Sequence, residues 1–308
     1  MLWRDSTDLE DSRGVTDFHM DGRAGIDAVL VRRLIAEQFP QWTELPVTPV
    51  KIDGWDNRTY RLGSDLTARL PTHDSYTAAV HKEHQWLPIL APALPMAIPE
   101  AVAKGEPGQG YPYHWAVRRW IDGETASHDT VADLDDFARS IAEFIRALQS
   151  VDATGGPEAG AHSFYRGAPP EYYHDETMAA LAVLKGRIDT DLAREVWETA
   201  LATSWDRPPV WFHGDIASGN LLVQDGRLSA VIDFGTSGVG DPACDLVIAY
   251  TFFSGSSRSF FRDAVRQDAG TWARARAWAL WKALITYDSS DSSHQVITEV
   301  LADHRAHA

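Results

Sequence analysis

Positive charge is scarce in these 308 residues. Lysine occurs five times, at 51, 82, 104, 185 and 282, and 28 Lys plus Arg face 44 Asp plus Glu, for a formal net charge of −16. Nucleic acid and anionic membranes are recognised through Lys and Arg, so neither is expected as a partner. Cysteine is rarer still. Cys244 stands alone, which excludes an internal disulfide and fits a reducing cytosol. No run of about 18 apolar residues occurs, the length a membrane-spanning helix needs. The opening MLWRDSTDLEDSRG is too charged for a secretory signal. The expected setting is therefore the cytoplasm. The sequence also has no metal-site spacing of Cys or His, and no G-x-G-x-x-G.

What is present describes a folded globule, with 44% hydrophobic residues and 12 tryptophans. Charge is unevenly spread: residues 1–121 carry 13 basic and 16 acidic side chains, residues 122–308 carry 15 and 28. A pocket in the second part would attract cations.

Residues 1–22 lack apolar periodicity and read as a loose leader. IDAVLVRRLIAEQF (26–39) has helical spacing, with Asp27 in the first turn and Pro40 as the stop. VTPVKIDG, TYRLG and LTARLP read as strands separated by turn formers. Tyr76–Leu90 reads as a helix whose last turn Pro88 limits. MAIPEAVAKG and YHWAVRRWI supply two more strands. Beyond Gly123 the spacing is helical at LDDFARSIAEFIRALQSV, YYHDETMAALAVLKGRI, DLAREVWETALATSW and RDAVRQDAGTWARARAWALWKALITY, the last as one run over 262–287. GGPEAGAHSFYRGAPPEYY (155–173) is a loop. The pattern is an α+β fold: a small antiparallel sheet with one helix, a connector, and a larger helical part that contains one β-hairpin.

That hairpin sits inside VWFHGDIASGNLLVQDGRLSAVIDFGTSGVGDPACDL (210–246). In HGDIASGN, Asp215 and Asn220 stand five apart, the spacing of the kinase catalytic loop H-R-D-x-x-x-x-N with Gly214 in the arginine's place. LLVQ-DGR-LSAVID then reads as strand, Asp-Gly turn, strand. A hairpin returns the chain near its start, so it brings Asp233 back beside Asn220 and Asp215. Phosphoryl transfer needs such a group: a carboxylate to orient and deprotonate a hydroxyl, and hard oxygen ligands for Mg²⁺ on nucleotide phosphates. Asp215 is the candidate base, with Asn220 and Asp233 as metal ligands. Asp241 before Pro242 has the order of an N-cap. Asp245, one turn later, is expected to brace the loop from below. His213 is expected to pack or hydrogen-bond at the loop's start, and the histidines of HDETM and DHRAHA to lie at the surface.

HGDIASGNLL, VIDFG and GDPACDL together resemble the aminoglycoside phosphotransferase family of small-molecule kinases, which share a bilobal protein-kinase-like fold. The resemblance runs from about Val50 to the helices after Asp245. It implies an N-lobe over 23–117, a hinge at 118–122 and a helical C-lobe over 123–308. It further implies that KIDGWDNRTYRLG covers the nucleotide, with Asp56 and Asn57 in its turn. Arg69 falls where the phosphate-contacting lysine stands, Glu83 where its helix partner stands, and Arg119 and Ile121 where hinge backbone groups meet the base. Arginine for lysine at 69 is a departure, since guanidinium is planar and bulkier; Lys51 is a second candidate for that role. The implied cofactors are ATP or GTP with Mg²⁺.

The expected activity is transfer of the γ-phosphate to a hydroxyl of a small, cationic acceptor such as an aminoglycoside. The alternatives are a macrolide, a metabolite (amino sugar, fructosamine or amino alcohol), or an inert nucleotide-binding pseudokinase. Candidate acceptor carboxylates are Asp175, Glu176, Asp288 and Asp291, which the sequence does not rank. Trp205, Trp272, Trp278 and Trp281 are expected in the core.

Overall fold

Asp27 begins the first helix from outside it. In the computed structural model, which describes residues 23–307 apart from Ala24, Ile52 and Trp55, its carboxylate accepts from the Val29 and Leu30 amides at 2.9 and 2.8 Å. It is thus the N-cap of α1 (Ala28–Gln38), not a first-turn residue. The expectation for residues 1–22 lies outside the described residues. Contacts divide the described residues into two compact units, one running to Pro92 and including Ala97–Asp122, the other made of Ala93–Met96 and the described residues from Gly123 onward.

The first unit holds an antiparallel sheet in the order β1 (Val47–Pro49), β2 (Asn57–Leu62), β3 (Leu66–Pro71), β5 (Trp115–Arg119), β4 (Ala101–Gly105). Side chains alternate between the faces of a strand. One face gives Tyr60, Leu62, Ala68, Leu70, Trp115 and Val117 to a core shared with Leu30, Val31, Leu34 and Ile35 of α1. The registers Thr59↔Arg69, Arg61↔Thr67, Arg69↔Ala116 and Thr67↔Arg118 put those residues on the other face. A second helix, α2 (Thr77–Leu90), carries Pro88 in its last turn. Proline removes one N–H, but the next turn still closes, with the Ala91 amide donating to the Leu87 carbonyl.

In the second unit, α3 (Leu134–Gln149) is capped by Asp133 and buries Phe137, Ile141, Phe144, Ile145 and Leu148. After α4 (His174–Val183) and α5 (Thr190–Leu201), short strands β7 (Val210–Phe212) and β10 (Gly238–Gly240) pair with one another. Between them in sequence, β8 (Leu221–Gln224) and β9 (Arg227–Val231) form the hairpin, edged by β6 (Glu124–Thr125). The end of the chain contains α6 (Ile248–Thr251), α7 (Gly255–Val265), α8 (Ala269–Ile285) and α9 (Ser293–His307).

The single helix expected over 262–287 is two. Arg266 adopts a left-handed conformation (φ 56°), and Asp268 caps a new start by accepting from the Thr271 amide at 2.8 Å. Helical periodicity continues across the break, but an Asp before a small-residue turn restarts the ladder. Trp272, Trp278 and Trp281 of α8 are buried, while Trp205 is half-buried. The C-terminal helix α9 was not read from the sequence, and with it comes a correction: His304 of DHRAHA is buried, 3.3 Å from Glu195, not a surface residue. Trp197 likewise donates to His174 of HDETM at 3.1 Å.

The hairpin turn fixes the register that the site depends on. Asp225 and Gly226 both have positive φ, 50° and 78°, which is the requirement of a type I′ turn. A Cβ at Gly226 would lie 2.5 Å from that of Ala132. Gly226→Ala is therefore expected to cost about 1–3 kcal/mol. Urea denaturation measures this, and an unchanged midpoint would contradict it.

Candidate functional site

Strand β7 leads from the fully buried Trp211 and Phe212 through the buried His213 and Gly214 to the half-buried Asp215. Asp245 catches the chain as it leaves. The carboxylate accepts from the His213 and Gly214 amides at 2.8 and 2.7 Å, the bracing expected from the sequence. Burial pushes its pKa up to about 7, against the lowering effect of those two bonds and with a further rise from the charge of Asp215. Gly214 has φ +86°, and a Cβ there would lie 2.9 Å from both Thr236 oxygens. That closeness explains why glycine occupies this place in the loop.

His213 joins the two segments of the site. Its Nδ1 accepts from the Asp215 amide at 3.2 Å, and its Nε2 meets the Ile232 carbonyl at 3.1 Å. Acceptance at one nitrogen and donation at the other describe a neutral imidazole. The ring also packs edge-on against Phe234, centroids 4.6 Å apart.

The buried Asn220 donates from Nδ2 to the Asp215 carboxylate at 2.8 Å and to its carbonyl at 3.0 Å. An amide that spends its nitrogen this way keeps its oxygen, Oδ1, as an acceptor. The Asn220 carbonyl accepts from the Ile232 amide at 2.8 Å, which places Asp233 one residue from that bond. Asp233 itself is left-handed, φ 67°. The hairpin therefore brings Asp215, Asn220 and the Asp233 segment onto one frame.

Among the described residues no group of three or more His, Cys, Asp or Glu gathers to hold a metal. Asn220 Oδ1 and a carboxylate at Asp233 nonetheless fit Mg²⁺, which binds through one or two protein oxygens and completes its shell with water and phosphate. An open cavity of about 580 Å³, lined in part by Asp133, Asp136, Arg139, Asp225 and Phe260, lies at the turn end of the hairpin, away from these residues.

Asp241 accepts from the Ala243 amide at 3.1 Å, as an N-cap does. It also pairs with Arg274 of α8 at 2.6 Å, both buried, which the sequence reading missed. Burial raises the Asp241 pKa and Arg274 opposes the rise. Cys244 between them is buried, and burial pushes its thiol pKa up, as do Asp245 and Asp241.

The other predicted residues lie in the first unit. Asp56 precedes β2, and its carbonyl accepts from the Thr72 amide at 2.9 Å. Asn57 opens β2 opposite Pro71. Arg69 is half-buried on β3, and Lys51 is exposed. Glu83 is buried on α2, where the cation that meets it is Arg118 of β5. Arg119 donates its amide to the Glu100 carbonyl at 3.0 Å, and Ile121 follows the strand, half-buried. Of the acceptor candidates, Glu176 accepts from Trp281 Nε1 at 2.6 Å and Asp288 pairs with Arg187, whereas Asp175 and Asp291 are exposed.

The Asp245 geometry has a pH signature. Its folded pKa is above the unfolded value of 3.8, so the stability it contributes is fully present below about pH 4 and is lost as pH rises through about 7. Asp245→Asn, which cannot ionise and offers one oxygen to two amides, should flatten this loss. Urea unfolding at pH 5 and pH 7.5 measures it; an equal pH dependence in both proteins would refute the assignment.

Residues 47–278 match the model of the phosphotransferase enzyme family. The chain is similar to the solved GDP complex of aminoglycoside 2'-phosphotransferase-IIIa, with a TM-score of 0.66 at 17% identity, covering 91% of this chain and 100% of that one. It is also similar to the macrolide 2'-phosphotransferase MphH of Brachybacterium faecium, with a TM-score of 0.56 at 23% identity, covering 89% and 97%. A curated relative, the uncharacterized protein YcbJ of Bacillus subtilis (strain 168), is 25% identical over 194 residues, 59% of this chain and 57% of that protein's length. These solved neighbours share the kinase-like fold read from the sequence. The matched region spans most of the chain and contains the whole Asp215–Asp245 frame, and the chain belongs to the phosphotransferase enzyme family.

Proposed function

We propose that the chain transfers the γ-phosphoryl group of ATP or GTP to a hydroxyl of a small cationic acceptor such as an aminoglycoside. The observation that carries this reading is the bond from Asn220 Nδ2 to the Asp215 carboxylate at 2.8 Å. It fixes one carboxylate oxygen beside a residue whose own oxygen is turned elsewhere.

In this reading Asp215 orients the acceptor hydroxyl and takes its proton as the oxygen attacks the γ-phosphorus. The bond from that phosphorus to the bridging oxygen breaks, and the nucleoside diphosphate leaves. Asn220 and Asp233 would hold Mg²⁺, which would neutralise charge on the phosphates. Asn220 holds the base in place through Nδ2 and would offer Oδ1 to the metal. Residues 23–117 supply the nucleotide side chains Asp56, Asn57, Arg69 and Glu83, residues 118–122 the backbone groups of Arg119 and Ile121 for the base, and residues 123–308 the catalytic frame and acceptor site. The supply of nucleoside triphosphate places such an enzyme in the cytoplasm.

The acceptor class rests on charge. The second part of the sequence carries 28 acidic against 15 basic side chains, and Asp175 and Asp291 are exposed there. Carboxylates attract and pair with ammonium groups. The solved neighbours named for aminoglycosides and macrolides support a hydroxylated natural-product acceptor.

Asp215→Ala is expected to lower turnover about 10²–10⁴-fold, the range for loss of a general base, without changing the circular dichroism spectrum. Nucleoside diphosphate release with ATP or GTP and Mg²⁺, against aminoglycosides, macrolides and amino sugars, is the measurement. Undiminished turnover in the variant would refute the mechanism, and turnover on macrolides alone would refute the cationic preference.

A further inference from the structure

The face of the sheet turned away from α1 is unusually rich in arginine. Arg61, Arg69 and Arg118 share it with Thr59, Thr67 and Ala116. Arg118 reaches Glu83, so α2 brings its carboxylate to that face. Both partners are only 4% exposed. Arg118 binds Glu83 Oε2, while Oε1 is buried with no hydrogen-bond partner. A buried carboxylate oxygen left unmet is costly, and such a pair stabilises little unless its remaining lone pairs are satisfied. The pair is therefore poorly accounted for by stability alone.

Arg69 stands diagonally across from Arg118, opposite Ala116 where Arg118 is opposite Thr67. Diagonal neighbours on one face lie within reach of long side chains. An arginine also carries its donors in a rigid plane, so a carboxylate that receives it must itself be held in one orientation. We propose that Arg118 is a positioning residue for the nucleotide site. By holding Glu83 through Oε2 it leaves Oε1 to fix the Arg69 guanidinium, and so sets where Arg69 meets the phosphates. The proposal rests on the reading of the chain as a nucleotide-dependent phosphotransferase.

The test is calorimetric titration of the Mg²⁺ complexes of ATP and GTP into the wild type and the R118M, R118K, R69A, R118M/R69A and R118K/R69A variants, with Tm taken on each. R118M should weaken nucleotide binding about tenfold. R118K keeps the charge pair, and hence the fold, but presents a point charge in place of a plane; it should weaken binding about threefold. In the R69A background either change should add less than about twofold, because the two residues act as one unit. Unchanged affinity in both Arg118 variants, with only Tm reduced, would overturn the proposal. So would penalties that multiply fully with R69A. If R118M does not fold, R118K alone and with R69A decides between the same two outcomes. A wild type that binds neither nucleotide would sink the broader reading too, and that failure is visible before any variant is measured.

Discussion

One buried carboxylate holds the Asp215–Asn220–Asp233 frame in place. Asp245 lies beneath the turn at His213 and Gly214 and accepts both amides, at a point where β7 has ended and no neighbouring strand can satisfy them. An unmet amide pair in that position would cost about 2–6 kcal/mol, at one to three per group. Everything above the turn inherits its position: the Asp215 amide on His213, the Asn220 amide on Asp215, and the Ile232 backbone on both His213 and Asn220. The hairpin contributes by returning the chain in register, and the left-handed Asp233 by turning at the end of that return.

Much of this was legible because the block that forms the frame is local. Asp215, Asn220 and Asp233 fall within nineteen positions, and an Asp-Gly between two apolar runs specifies the turn that closes them. Asp241 and Asp245 were readable for the same reason, as a cap and a brace within one turn of each other. What stayed hidden came from afar. Arg274 reaches Asp241 across 33 residues and Arg118 reaches Glu83 across 35, and nothing in a sequence marks which distant cation a buried carboxylate will meet. Strand alternation held a partial signal, since Arg118 and Arg69 have the parity that places them on one face once the register is known. The break at Arg266–Asp268 was obscured differently. Apolar spacing runs through it, and only the capping chemistry of Asp268 shows that the helix restarts.

The scarcity of lysine has a structural counterpart. Among the described residues, three buried carboxylates are met by buried arginine: Arg118 for Glu83, Arg274 for Asp241, Arg276 for Asp303. Guanidinium is more weakly hydrated than ammonium and offers five donors in a fixed fork, so it tolerates burial against a carboxylate better. The half-buried arginine at 69 stands on the same sheet face as Arg118.

Cys244 carries a practical consequence. The chain's single thiol is sealed between two buried aspartates, with its ionisation suppressed by burial and by their charge. Thiolate is the species that reacts with alkylating probes, so the folded protein is close to a cysteine-free background as it stands. A cysteine introduced on the exposed surface would be the one reactive handle, and fluorophores or spin labels could be attached there without first altering the segment that supports Asp215.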